Sequence, residues 1–144
     1  MFSEEQRDIL RETLEWTRYN AGQEVDESYD FTNAPKLDQG GWFDFPPDDD
    51  GSHWSRLYKV AQIDVRLLLG GVPRGTTACV AGYIVYSTRV LRWDQSLPGG
   101  EEIAEYAARV LSMPNHVAYW LFDTRRSPAK IIDYLKEVLE DNRW

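Results

Sequence analysis

The chain has 144 residues, 42% of them hydrophobic and 13% aromatic, a composition that excludes a disordered polypeptide and suits one compact domain over residues 1–144. Its single cysteine, Cys79, excludes an internal disulfide and a cysteine-built zinc site. A formal net charge of −8 disfavours nucleic acid and membrane surfaces as partners.

The opening, MFSEEQRDIL, lacks the basic start and apolar run of a secretory signal. The longest apolar stretches, ACVAGYIVY and VAYWLF, are too short to span a bilayer, so a soluble cytoplasmic protein is expected. Ser3 with Gln6 forms a capping-box pattern, and Glu4, Glu5 and Asp8 suit the positive end of a helix dipole. Ile9, Leu10, Thr13, Leu14, Trp16 and Thr17 recur at helical spacing, and Gly22 supplies a stop.

Residues 23 to 40 read as irregular, with Tyr29 and Phe31 alternating with polar neighbours as in a short strand. WFDF is a second short strand, ended by Pro46 and Pro47, which cannot donate ladder hydrogen bonds. SRLYKV is a weak strand, and QIDVRLLL alternates cleanly, with Asp64 and Arg66 on its polar face. After the turn GGVPRG, the run TTACVAGYIVYSTRVLRW is rich in β-branched and aromatic residues and predicts a long or bulged strand bent at Gly82.

Glu101, Glu102 and Glu105 open a middle helix whose inner face is Ile103, Ala107, Val110 and Leu111, with Pro114 as its end. HVAYWLF reads as a short central strand covered on both faces. Ser127 and Pro128 start a last helix with Ile131, Ile132, Leu135, Val138 and Leu139 on its buried side. The order predicts an α+β domain: an antiparallel or mixed sheet with N-terminal, middle and C-terminal helices packed on it.

The charge is concentrated rather than spread. Nine acids fall between Glu24 and Asp50 against Lys36 alone, a net of −8, while the other fifteen acids and fifteen bases cancel. That segment ends in GGWFDFPPDDDGSHW, where carboxylates alternate with aromatic rings. A calcium loop with Gly51 at its sixth position would need side-chain oxygens at Pro46 and Leu57, so the spacing fails. Gly70 and Gly75 have the spacing of phosphate-loop glycines, but Thr76 stands where the lysine is needed. Cys79 lies in an apolar run and reads as a buried core thiol. Asp123, Arg125 and Arg126 follow a predicted strand end, as catalytic residues can, but also form a helix entry. No catalytic, metal or cofactor site is expected.

Aromatic rings supply anchor area at interfaces, and acids steer basic partners. The expected partner-binding set is therefore Asp30, Asp38, Trp42, Phe43, Asp44, Asp48, Asp49, Asp50 and His53. Solvated acids that only aid solubility, with the aromatics as core anchors, are the competing account.

In size, acidity and lack of catalytic motifs the chain resembles the small single-domain immunity proteins encoded beside bacterial polymorphic toxins. The resemblance is one of class rather than of signature residues. It implies a cytoplasmic inhibitor that occludes the basic catalytic cleft of a cognate toxin acting on nucleic acid, nucleotide or NAD. A non-catalytic adaptor, secretion chaperone or phage accessory protein would use the same surface, and a small enzyme built on Asp123, Arg125 or Arg126 is a third expectation.

Overall fold

The computed structural model of the chain describes residues 1–39, 43–44, 77–91 and 103–144. Their element order is α1 (Glu4–Asn20), β1 (Lys36–Leu37), β2 (Phe43–Asp44), β3 (Thr77–Ala78), α2 (Val80–Leu91), α3 (Ile103–Val110), α4 (Asn115–Leu121) and α5 (Pro128–Asp141).

The first and last helices form where their caps and periodicity place them. At α1 the Ser3 hydroxyl accepts from Gln6 N at 3.1 Å, and the Gln6 amide oxygen accepts from Ser3 N at 3.0 Å. Two otherwise unsatisfied N–H groups are thereby paired. The buried residues are Ile9, Leu10, Thr13, Leu14, Trp16 and Thr17, the stripe read from the sequence. Thr13 and Thr17 can sit inside because their hydroxyls donate to the carbonyls of Ile9 and Thr13, one turn back. Gly22, at φ 76°, lets the chain leave the helix in a left-handed conformation. In α5, Ser127 caps, Pro128 stands in the first turn, and Ile131, Ile132, Leu135 and Val138 are buried.

The predicted α+β sheet is overturned. Among the described residues the protein is mainly helical, with α1 packed on α5 and α2 packed on α3 and α1. The strands are two residues each, in the order β1-β3-β2, with β1 parallel and β2 antiparallel to β3. Such a ladder ties loops together; it is no platform for helices. Among the described residues of TTACVAGYIVYSTRVLRW, two form β3 and the chain then turns into α2. Every side chain from Ala78 to Val85 is buried, so this stretch has no polar face and shows no period. An apolar run of that kind reads equally as a core strand or a core helix, and burial among the other helices overrides its β propensity. Tyr29 and Phe31 lie on turns rather than a strand, with Tyr29 N donating to Asp26 O and Ala34 N to Phe31 O.

HVAYWLF is likewise helical, as α4. Val117 and Leu121, four apart, face the core, while His116 and Tyr119 are exposed. Pro114, expected to end the middle helix, instead opens the next one, since α3 stops at Val110. Ser112 takes φ 51°, Met113 N donates back to Ala108 O at 2.8 Å, and Pro114 then stands as the N-cap of α4. WFDF does contribute a strand, as β2. SRLYKV, QIDVRLLL and the turn GGVPRG lie outside the described residues.

The core centres on α2. The Trp16 ring stacks on Tyr83 with centroids 4.2 Å apart and planes 10° from parallel. Its indole N–H donates to Pro35 O at 2.8 Å, the buried partner that a tryptophan needs.

Candidate functional site

The acidic segment that follows α1 is braced along its length. Asp26 N donates to Glu15 Oε2 at 3.3 Å, Leu37 N to Asn20 Oδ1 at 2.9 Å, and Asp38 N to Ala78 O at 2.9 Å. Gln39 is the final clamp. It is 8% exposed, accepts from Val80 N at 2.9 Å, and donates to the carbonyls of Leu121 at 3.1 Å and Asp123 at 3.3 Å. One side chain thus joins the segment to the start of α2 and the end of α4.

Aromatic packing holds the middle. Phe31 is buried, with Tyr29 stacked on it at 5.7 Å, Tyr19 at 5.6 Å and Tyr83 edge-on at 6.4 Å. Beneath this cluster the Ser87 hydroxyl donates to the half-buried carboxylate of Glu12. Burial first, and then the charges of Glu12 and Glu15, push the Tyr29 hydroxyl up from its ordinary range.

Glu24, Asp26, Glu27, Asp30 and Asp38 are all exposed on this frame. Two of them also shape it. Asp26 accepts from Ser28 N at 2.8 Å, and Asp30 accepts from Thr32 N at 3.0 Å and from the Thr32 hydroxyl. These bonds favour the charged forms and hold both carboxyls below the usual range, so both stay ionised through neutral pH.

Of the predicted partner-binding set, Asp30 and Asp38 stand on this surface. Phe43 and Asp44 form β2, paired with Ala78 and Thr77 of β3, the same strand that pairs with β1. Their backbone therefore lies across one ladder from the acidic segment. Trp42, Asp48, Asp49, Asp50 and His53 lie outside the described residues. Gln39 was not legible as a clamp, because its partners are 41, 82 and 84 positions away in the chain.

Asp123, Arg125 and Arg126 make a helix entry. The Asp123 carboxylate accepts from Arg125 N at 2.9 Å, Nε at 3.1 Å and Nη2 at 2.9 Å, and these bonds hold it well below the usual carboxylate range. Arg126 donates to Trp120 O at 2.8 Å, with its guanidinium 4.5 Å from the centre of the Trp120 ring. An open groove of about 540 Å³ lies alongside, between α3 and α4. It is lined by Ala104, Ala108 and Ala118, with Tyr119 and Phe122, and has the carboxylates of Glu105 and Asp123 on its rim.

Cys79 is 2% exposed, and burial pushes its thiol up to about 11. The folded protein at pH 8 is therefore expected to react with a disulfide reagent only as fast as it opens, and the unfolded chain at once. The raised value also fixes a sign. The neutral thiol's contribution to stability is full below the ordinary thiol range and declines as pH rises towards 11; the buried Tyr83 hydroxyl, also pushed up, adds in the same direction. Stability that rose between the ordinary thiol value of about 8.5 and pH 11 would contradict this.

Among the described residues no group of three or more His, Cys, Asp or Glu side chains is placed to hold a metal ion. No helix among them is long and apolar enough to cross a membrane. Comparison with protein-family models, with curated proteins and with solved structures returns no match.

Proposed function

We propose that the protein is a binding inhibitor of the immunity type, which captures a protein toxin through the acidic surface of residues 24–38 and covers its basic catalytic cleft. One observation carries this reading: five exposed carboxylates sit on a segment that is locked, not loose. Acids kept only for solubility need no such bracing. Acids that must meet a fixed pattern of bases gain from it, because a pre-ordered surface loses less entropy on binding. Their summed field also raises the encounter rate with a basic cleft.

The described chemistry supports a binding role better than a catalytic one. Asp123, Arg125 and Arg126 are engaged with one another and with Trp120 in contacts that fix a turn. The Cys79 thiol is buried and neutral at physiological pH.

Co-expression tests the reading. The protein encoded beside this chain, produced alone, is expected to arrest growth; produced with this chain, it is expected to co-purify with it and leave growth intact. Co-purification of a structural or secretory protein, with no growth arrest to relieve, would replace the inhibitor by an adaptor.

A further inference from the structure

We infer that the groove between α3 and α4 receives an arginine-bearing segment of the protein partner. The inference rests on the proposed interface and names a residue that the partner contributes to it. Three alanines, Ala104, Ala108 and Ala118, line the groove. Their short side chains leave room for the aliphatic stem of a long side chain, which gains by lying along apolar surface. Glu105 on α3 is exposed and offers a carboxylate to a cationic head, while Asp123, already bonded to Arg125, stands just past the end of α4.

Tyr119 on the α4 wall is 82% exposed. Its face is open to a guanidinium, which stacks on aromatic rings and forks onto carboxylates as an ammonium does not. The same end of the molecule already holds guanidinium groups in both ways: Arg126 over Trp120 at 4.5 Å, and Arg125 on Asp123 at 2.9 Å. The Arg125 side chain is itself 85% exposed but the Asp123 side chain only 19%, so an incoming arginine is met chiefly by Glu105 and the Tyr119 ring.

The groove is also tied to the acidic segment. Gln39, one residue beyond Asp38, bonds the carbonyl of Asp123, which lines the groove.

The test is a ¹⁵N–¹H titration of the full chain with the peptide acetyl-Gly-Leu-Arg-Leu-Gly-amide, and with its counterpart bearing Glu in place of Arg. The arginine peptide is expected to produce saturable shifts at the amides of Ala104, Ala108 and Ala118, and the glutamate peptide none. Glu105→Gln and Tyr119→Ala, both at exposed positions, should each weaken binding about two- to fivefold. Both variants should keep the wild-type thermal midpoint. Absence of saturable shifts, equal shifts with the two peptides, or binding indifferent to both variants would overturn the inference. Shifts confined to the amides of residues 24–38 would also overturn it, while leaving the acidic interface standing. Growth protection and co-purification decide that interface separately.

Discussion

Trp16→Ala is expected to destabilise the protein by about 3–5 kcal/mol, the range for removing a fully buried tryptophan. Three losses combine. The side chain is wholly buried, so a large cavity opens in the core. The stack on Tyr83 disappears, an arrangement worth about 0.5–1.5 kcal/mol beyond its area. The carbonyl of Pro35 loses its indole donor, and an unsatisfied buried acceptor costs about 1–3 kcal/mol. These terms overlap and do not simply add. Against a typical total of about 5–15 kcal/mol, the variant stands near the edge of folding. Trp16→Phe keeps most of the apolar volume but not the hydrogen bond, and so should lose a smaller part. Chemical denaturation followed by far-ultraviolet circular dichroism measures both. Hydrogen exchange adds a local readout: in Trp16→Phe the amides of Leu37 and Asp38 should exchange faster, because Pro35 no longer ties that stretch to α1. A loss for Trp16→Ala below about 1 kcal/mol would mean that the core does not depend on Trp16.

Helices α1 and α5 were legible because each carries a cap and a one-sided apolar stripe, so local preference and burial agree. Ser3 with Gln6 and Ser127 with Pro128 mark their starts without tertiary information. Helices α2 and α4 were not legible, each for its own reason. Val80 to Val85 is buried all round, so no polar residue beats out a period. Its β-branched and aromatic content then pointed to a strand, a preference that packing readily overrides. In α4 the only regular signal is Val117 with Leu121, too short to separate a helix from a strand. Pro114 is the local signal for α4, since a proline suits the start of a helix as well as the stretch after one.

The surface divides similarly. That Asp30 and Asp38 face solvent follows from charge alone. That they stand on a rigid frame does not, because Phe31, Gln39 and Tyr83 meet only after the chain has folded. The α3–α4 groove left a faint trace in the four-residue spacing of Ala104 and Ala108, but its opposite wall comes from another helix. The predicted sheet failed, while the predicted acidic surface depends on it hardly at all: α1, α2 and the end of α4 support the segment instead.

Neutralising the acidic surface should have the largest effect on function. Glu24→Gln, Asp26→Asn, Glu27→Gln and Asp30→Asn together remove four negative charges. Asparagine keeps the side-chain oxygen that accepts from Ser28 N and Thr32 N, so both turns persist. Folding stability should therefore change little. Electrostatically steered encounter gains roughly tenfold to a thousandfold from such fields, and the variant is expected to lose at least tenfold in association rate at low salt. Dissociation should change much less, because rim charges act mainly on the approach.

The decisive measurement is the association rate of the co-purified partner with the wild-type chain and with this fourfold variant, followed by stopped flow as salt is raised. Between about 0.01 M and 1 M the Debye length falls from about 30 Å to about 3 Å, so steering fades across that range. A steep fall for the wild type, a shallow one for the variant, and convergence of the two at high salt are predicted. Equal rates and equal slopes at every salt concentration would contradict the proposal that residues 24–38 are the surface that meets the partner.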